Sequence, residues 1–312
     1  MKILVTGATG FLGCHLVKHL TRANHDVIGL GSKDANLLNP DALNKFSAEK
    51  FDSIFHLAAW TQAGDFCLIH PGEQWLINQQ MNTTVLNWWH QHQPQAKMIS
   101  MGTSCAYEEG IHLSEEKYLE GSPIKDLYSY AMTKRMLHIG QVMLNRQFGL
   151  NYLTIVPSTL YGPEYHLGTK QMHFIFDLAW KILDFKYFKK PVVLWGDGQQ
   201  RRELVFVDDF ISTLLQLDNI SQNDIVNIGA GEDYTIQEFA EAICRCVNVD
   251  SRCLQYDTSK YVGAKSKMLS ITKLDALLPY RAKTSLFDGL SKTLLWLEKQ
   301  FLVMSEPAAF AK

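Results

Sequence analysis

The chain has 312 residues, 46% of them hydrophobic and 20% charged, a balance that excludes a disordered protein and allows two domains or one large one. With 32 acidic and 30 basic side chains the formal charge is −2, so no net field draws nucleic acid or an anionic membrane. No apolar run approaches the roughly 20 residues of a spanning helix, and Met1-Lys2 leads straight into Ile3-Leu4-Val5-Thr6-Gly7 without a cleavage-site pattern, so a cytoplasmic protein is expected.

In chain order, short β-branched runs predict strands at Ile3–Thr6, Val27–Leu30, Ser53–Leu57, Lys97–Ser100 and Tyr152–Val156. Helical patterns between them include Trp75–Gln93 and Tyr128–Phe148, long enough to be crossovers between parallel strands. The first half therefore reads as an α/β, doubly wound parallel sheet. Beyond Tyr161-Gly162-Pro163 the alternation loosens into a helix at Met172–Leu183, strands at Val192–Trp195 and Leu204–Val207, a helix at Asp209–Leu217 and a strand at Ile225–Ile228. Thr235 with Glu238 forms a capping box that opens a helix to about Val247, and a last helix is expected over Thr284–Phe301 before a frayed tail. The cysteines Cys14, Cys67, Cys105, Cys244, Cys246 and Cys253 contain no CxxC pair or finger spacing, so reduced, packed thiols and no metal are expected.

Gly7-Ala8-Thr9-Gly10-Phe11-Leu12-Gly13 follows the first strand and opens a helix, the context in which small residues let a pyrophosphate approach backbone N–H groups. The acidic ribose ligand expected at the end of the second strand is missing from Leu30-Gly31-Ser32-Lys33. Lys33 would pair a 2′-phosphate instead, which favours NADP(H) over NAD(H), although a solvated surface lysine reads the same way. Tyr130 and Lys134 lie four apart on one helix face, so the ammonium is expected to lower the phenol pKa and fit Tyr130 to exchange a proton with a carbinol oxygen. Thr103, just after a strand end, offers a hydroxyl to the same oxygen.

Together TGATGFLG, the His56-Leu57-Ala58-Ala59 segment, the Thr103 segment, YxxxK and Leu160-Tyr161-Gly162-Pro163 resemble the extended short-chain dehydrogenase/reductase family, whose members act on nucleotide sugars. The resemblance covers almost the whole chain. It implies a Rossmann domain at residues 1–163 and about 204–229, a smaller interleaved nucleotide-sugar domain at 164–203 and 230–302, a tail at 303–312, and a homodimer built on the two long helices. It also implies that Leu57, Ala58, Ala59, Asn78, Asn36 and Leu37 lie near the cofactor, where each is otherwise an ordinary polar or packing residue. Ser104-Cys105 replaces the Asp-Glu pair of sugar dehydratases, so dehydration is not expected. Cys105 instead resembles the GDP-L-fucose synthase branch, in which a cysteine and a histidine exchange protons at carbons beside a C4 ketone. His173, ten residues after Pro163, has the spacing of that histidine, although alone it reads equally as a packing residue.

Val193–Gly198, Arg201–Leu204 and Val207–Asp209 extend the resemblance, which implies a GDP-linked substrate held by Thr159, Lys181, Trp195, Arg202 and Lys267. Four departures from the family pattern lie around the sugar: Thr103 stands for serine, Thr159 for asparagine, Trp60-Thr61-Gln62-Ala63-Gly64 for a Val-Gly-Gly loop, and Thr9 for an arginine of the glycine loop, which counts against NADP. The expected activity is NADP(H)-dependent reduction, with prior C3/C5 epimerisation, of a GDP-4-keto-sugar, either a 6-deoxyhexose or a heptose. A redox-neutral NAD-dependent 4-epimerase and a non-catalytic dinucleotide-binding protein are the other readings.

Overall fold

The computed structural model describes residues 1–167, 171–259 and 266–305. The first half runs β1 (Lys2–Thr6), α1 (Phe11–Arg22), β2 (Asp26–Leu30), β3 (Ser53–His56), the single turn α2 (Phe66–Ile69), α3 (Pro71–His92), β4 (Lys97–Met101), α4 (Tyr128–Phe148), β5 (Tyr152–Pro157) and β6 (Thr159–Tyr161). Next come α5 (Phe174–Phe188), β7 (Val192–Trp195), β8 (Arg201–Arg202), β9 (Leu204–Phe206), α6 (Val207–Ile220) and β10 (Asp224–Ile228). The chain ends with β11 (Tyr234–Thr235), α7 (Ile236–Cys246), β12 (Leu254–Asp257), β13 (Ser266–Lys267), α8 (Thr272–Leu277) and α9 (Leu286–Ser305).

Met1–Ser158, Val207–Gly229 and Leu269–Ala282 make one compact unit. Its six strands are all parallel, in the order β10-β5-β4-β3-β1-β2, the Rossmann arrangement. All of β3 and nearly all of β4 and β5 are buried, as strands covered on both faces must be. From β1 the chain first moves outward to β2 and then returns to β3 on the other side of β1. The strand order thus reverses between β1 and β3, where open α/β sheets bind their ligands.

Helix α4 matches the predicted Tyr128–Phe148 and stops at Gly149, whose φ of +73° gives the left-handed cap a helix end favours. Its buried side is pinned to the sheet by polar contacts: Ser100 Oγ donates to Gln141 Oε1 at 2.6 Å, and His138 Nδ1 lies 2.8 Å from Thr154 Oγ1. Burial holds His138 near a pKa of about 4, so the ring is neutral. Helix α3 begins at Pro71 rather than Trp75, because proline at the first helical position lacks only an N–H that would have no helical partner. Trp88 and Trp89 are covered within the subunit, their indole N–H groups donating to Ser47 Oγ and the Ala96 carbonyl.

The described residues of Thr159–Phe206, Ala230–Met268 and the chain from Lys283 onward form the second unit. Its core gathers Phe176, Ile182, Phe239, Ile243, Leu297 and Phe301 from α5, α7 and α9. The capping box is present: Glu238 N–H donates to Thr235 Oγ1 and Thr235 N–H donates to Glu238 Oε2. Helix α9 continues through Ser305, because its apolar face extends to Phe301 and the last turn follows, so the tail expected from residue 303 is helical at its start. The remainder of that tail lies outside the described residues. Among the described residues no helix is long and apolar enough to cross a membrane.

Candidate active site

The glycine loop closes over the end of β1. Gly10 N–H donates to the Gly7 carbonyl at 2.9 Å, and Ala8 N–H donates to Leu30 O at the end of β2. Gly7 sits at φ +70°, and a Cβ there would lie 2.7 Å from Ala58 N, so the loop presses directly on the Leu57-Ala58-Ala59 segment after β3. A Cβ on Gly13 would lie only 2.1 Å from the Gly7 carbonyl oxygen. No side chain caps Gly10, and Phe11, Leu12 and Gly13 form the first turn of α1, so the backbone is shaped for an anion at a helix N-terminus. These residues fit the pyrophosphate of a dinucleotide.

Thr9 reaches toward β2, its Cγ2 within 2.7 Å of where a Gly31 Cβ would stand. Lys33 is exposed, as a 2′-phosphate ligand would have to be. The strand end has no carboxylate up to Lys33, but Asp34 folds back so that its Oδ2 accepts Gly31 N–H at 2.8 Å. A carboxylate therefore does stand at the end of β2. Asn36 is exposed and accepts Leu38 N–H, whereas Leu37 is a core residue of the sheet unit. Asn78 is buried and clasps the Trp60 backbone from both sides, accepting its N–H at 2.8 Å and donating to its carbonyl at 2.9 Å, with a third bond to Gln74 O. The described contacts of this amide thus hold the loop after β3, where the Trp60 ring meets Phe66 edge-on at 4.7 Å.

Thr103, Tyr130 and Lys134 come together in the sheet unit. Thr103 ends the stretch after β4; its N–H donates to Tyr118 Oη, and its Oγ1 accepts Cys105 N–H. The Thr103 side chain lies close enough to Tyr130 to favour its phenolate. Lys134 Nζ stands 5.9 Å from the centre of the Tyr130 ring, one turn along α4. The expected lowering of the phenol pKa by Lys134 is not found. Burial pushes Tyr130 up, Cys105, Tyr118 and Cys67 push the same way, and the Thr103 side chain opposes them. The cost of desolvating a phenolate here exceeds the attraction of an ammonium that stands 5.9 Å from the ring centre.

Lys134 is buried, and burial lowers its pKa from 10.5 to about 8, with no carboxylate among the described residues to offset it. Below about pH 8 the fold holds a desolvated ammonium that the unfolded chain hydrates. That penalty is full at lower pH and fades as pH rises toward 10.5. Lys134→Met should therefore raise stability at pH 6.5 by up to on the order of 3 kcal/mol, and by much less at pH 10. Thermal unfolding at both pH values checks this, and a lower melting temperature at pH 6.5 would refute it.

Cys105 follows Thr103 in a single 3-10 turn, Ser104–Ala106, and is partly exposed in the sheet unit. In the second unit His173 is the exposed N-cap of α5, its N–H donating to Tyr165 Oη. Lys181 pairs with Asp177 one turn earlier at 2.8 Å. Thr159 starts β6, and Trp195 ends β7 with 60% of its surface exposed. Arg202 and Lys267 are register partners on the parallel strands β8 and β13, which sets two cations side by side on one face. Strands of two residues show no alternation, so this pairing had no signature in the sequence.

The model of the NAD dependent epimerase/dehydratase family matches residues 3–229, more than half the chain. The chain belongs to that family. Across the family it is 28% identical over 302 residues to GDP-L-colitose synthase of Yersinia pseudotuberculosis, covering 94% of this chain and 96% of that protein. It is 27% identical over 319 residues to GDP-L-fucose synthase of Escherichia coli (strain K12), covering 96% and 97%. The crystal structure of a GDP-L-fucose synthetase from Naegleria fowleri bound to NADP superposes with a TM-score of 0.86 at 25% identity, covering 96% of this chain and 95% of that one. The protein is thus an enzyme of the extended short-chain dehydrogenase/reductase kind that takes a nicotinamide dinucleotide.

Proposed function

We propose that the chain is an NADP(H)-dependent enzyme that reduces the C4 ketone of a GDP-linked keto-sugar, a 6-deoxyhexose or a heptose, after epimerisation at C3 or C5. The observation that carries this reading is Tyr130 close to the Thr103 side chain, with Lys134 Nζ 5.9 Å from its ring centre one turn along α4. When bound along Gly7–Gly13, the dinucleotide supplies hydride to C4. Tyr130 gives its proton to the oxygen at that carbon, Thr103 orients the oxygen, and Lys134 provides the positive charge. Carbons beside a ketone are acidic, so Cys105 and His173 serve as the base and acid that remove and return a proton there.

The substrate class rests on the relatives, two of which are named for GDP-linked sugars. Arg202 and Lys267 take the diphosphate, with Trp195, Thr159 and Lys181 as further contacts. Arg202→Ala should raise KM for the nucleotide sugar about tenfold, with NADPH affinity unchanged, in steady-state kinetics beside a fluorescence titration of NADPH. Equal weakening of both ligands would refute the assignment. Lys33 takes the 2′-phosphate. A homodimer forms through α3 and α4, which expose Trp75, Leu76, Met136 and Met143; sedimentation showing a monomer at working concentration would remove this claim.

One observation favours a second reading. Asp34 at the end of β2 is a carboxylate of the kind that holds the ribose of NAD, and NAD held tightly would suit a redox-neutral 4-epimerase. The deciding experiment follows NADPH oxidation with GDP-4-keto-6-deoxymannose in D2O, with product analysis by mass spectrometry. NADPH consumption with deuterium at C3 or C5 supports the epimerase/reductase, and Cys105→Ser should abolish that uptake. Consumption without deuterium leaves a plain 4-reductase. Copurified NAD with no NADPH consumption establishes the second reading.

A further inference from the structure

A chain of buried hydrogen bonds beside Lys134 takes no part in the chemistry above. Thr6 at the end of β1, His56 at the end of β3 and Asn82 in α3 are each at most 2% exposed. Thr6 Oγ1 lies 2.8 Å from His56 Nδ1, and His56 Nε2 lies 3.1 Å from Asn82 Oδ1. Asn82 Nδ2 donates to the Thr133 carbonyl at 3.2 Å, and Thr6 Oγ1 also accepts Ala58 N–H at 3.4 Å.

The direction of every bond follows. Because the Asn82 amide nitrogen is the donor to Thr133, its oxygen must accept, so His56 carries its proton on Nε2 and Nδ1 accepts from the Thr6 hydroxyl. Such a ring has no use for a second proton, in keeping with the lowering of His56 to about 4 by burial and by the charge of Lys134. The chain ends on the peptide that joins Thr133 to Lys134. Thr133 Oγ1 in turn donates to the Tyr130 carbonyl at 2.8 Å, so the contact reaches both members of the Tyr130/Lys134 pair. The other titratable groups facing Tyr130 are Cys105, Cys67 and Tyr118.

We propose that His56 and Asn82 are positioning residues which, through the Thr133 carbonyl, hold the α4 turn that aims Lys134 and Tyr130. This rests on the reading of Tyr130 and Lys134 given above. His56→Leu strips the donor from Asn82 Oδ1, frees that amide to turn and releases the carbonyl. His56→Gln retains a donor for Asn82 and an acceptor for Thr6.

With GDP-4-keto-6-deoxymannose and NADPH, His56→Leu should lower kcat about 10- to 100-fold, with KM and NADPH affinity within about twofold, and His56→Gln should recover most of the loss. Asn82→Leu should match His56→Leu, and the double variant should be no worse than either, since one broken link opens the whole chain. Should His56→Leu fail to fold, Asn82→Ser, too short to bridge, replaces it. Wild-type kcat in His56→Leu, equal loss in His56→Gln, or additive losses overturn the proposal. If Tyr130→Phe is fully active in the same assay, it is the catalytic reading that falls. Should this sugar not turn over, NMR of 13Cε-labelled lysine, with Lys134 assigned by Lys134→Met, reads the same variants. A Lys134 titration midpoint displaced in His56→Leu but not in His56→Gln supports the proposal, and an undisplaced one overturns it.

Discussion

Tyr130→Phe is expected to lower kcat by about a hundred- to ten-thousand-fold while leaving NADPH affinity within about twofold. The substitution removes one oxygen beside Thr103 but leaves the ring near Lys134 in place, so the loss falls on the chemical step. Burial holds the phenol above its ordinary pKa, and this suits the reductive direction, in which the group must carry a proton at neutral pH in order to give it away. Single-turnover NADPH oxidation, with dinucleotide affinity taken from fluorescence, separates the two quantities. Normal reduction by the variant would remove Tyr130 from the chemistry.

Gly13→Ala is expected to cost about 10- to 100-fold in dinucleotide affinity. The added methyl would stand 2.1 Å from the Gly7 carbonyl oxygen and 2.8 Å from Ala8 Cα, and both are backbone atoms that no rotamer change can clear. The loop must move, and strain of this sort costs about 1–3 kcal/mol, which is that range of affinity. Gly149→Ala is the matched control. It sits at φ +73° with nothing within 4 Å of its added Cβ, so it should lose about 1 kcal/mol of stability and no dinucleotide affinity. Equal affinities of the wild type and Gly13→Ala would show that the dinucleotide does not lie along this loop.

Local signals carried the sequence reading furthest. The alternation of β-branched runs with long amphipathic stretches placed β1 to β5, and the end of α4 was readable because Gly149 terminates it. The capping box of Thr235 and Glu238 was legible for the same reason, since both partners lie within one turn. Contacts between distant segments were not legible. His56 and Asn82 are 26 residues apart, and nothing in either neighbourhood tells of the other. That Asp34 reaches back to Gly31 was not legible either, because the chain turns back on itself after Lys33. Leu269–Ala282 rejoins the sheet unit through Asn227, whose amide donates to the Leu113 and Ser270 carbonyls, a convergence with no sequence pattern.

The path of the chain through the sheet also sets the order in which it can be completed during synthesis. Five strands have been made once Pro157 leaves the ribosome, but β10, which pairs with β5 along Leu153–Pro157, is encoded only after β6 to β9 and α6. Until then the nascent chain carries an open strand edge in Tyr-Leu-Thr-Ile-Val, and the ammonium of Lys97 waits for Asp218, its buried partner on α6. A polypeptide stalled or cleaved before Asp224 therefore leaves the β5 edge uncovered, the kind of edge that templates intermolecular pairing, while the 66 residues from 158 to 223 are still to be made.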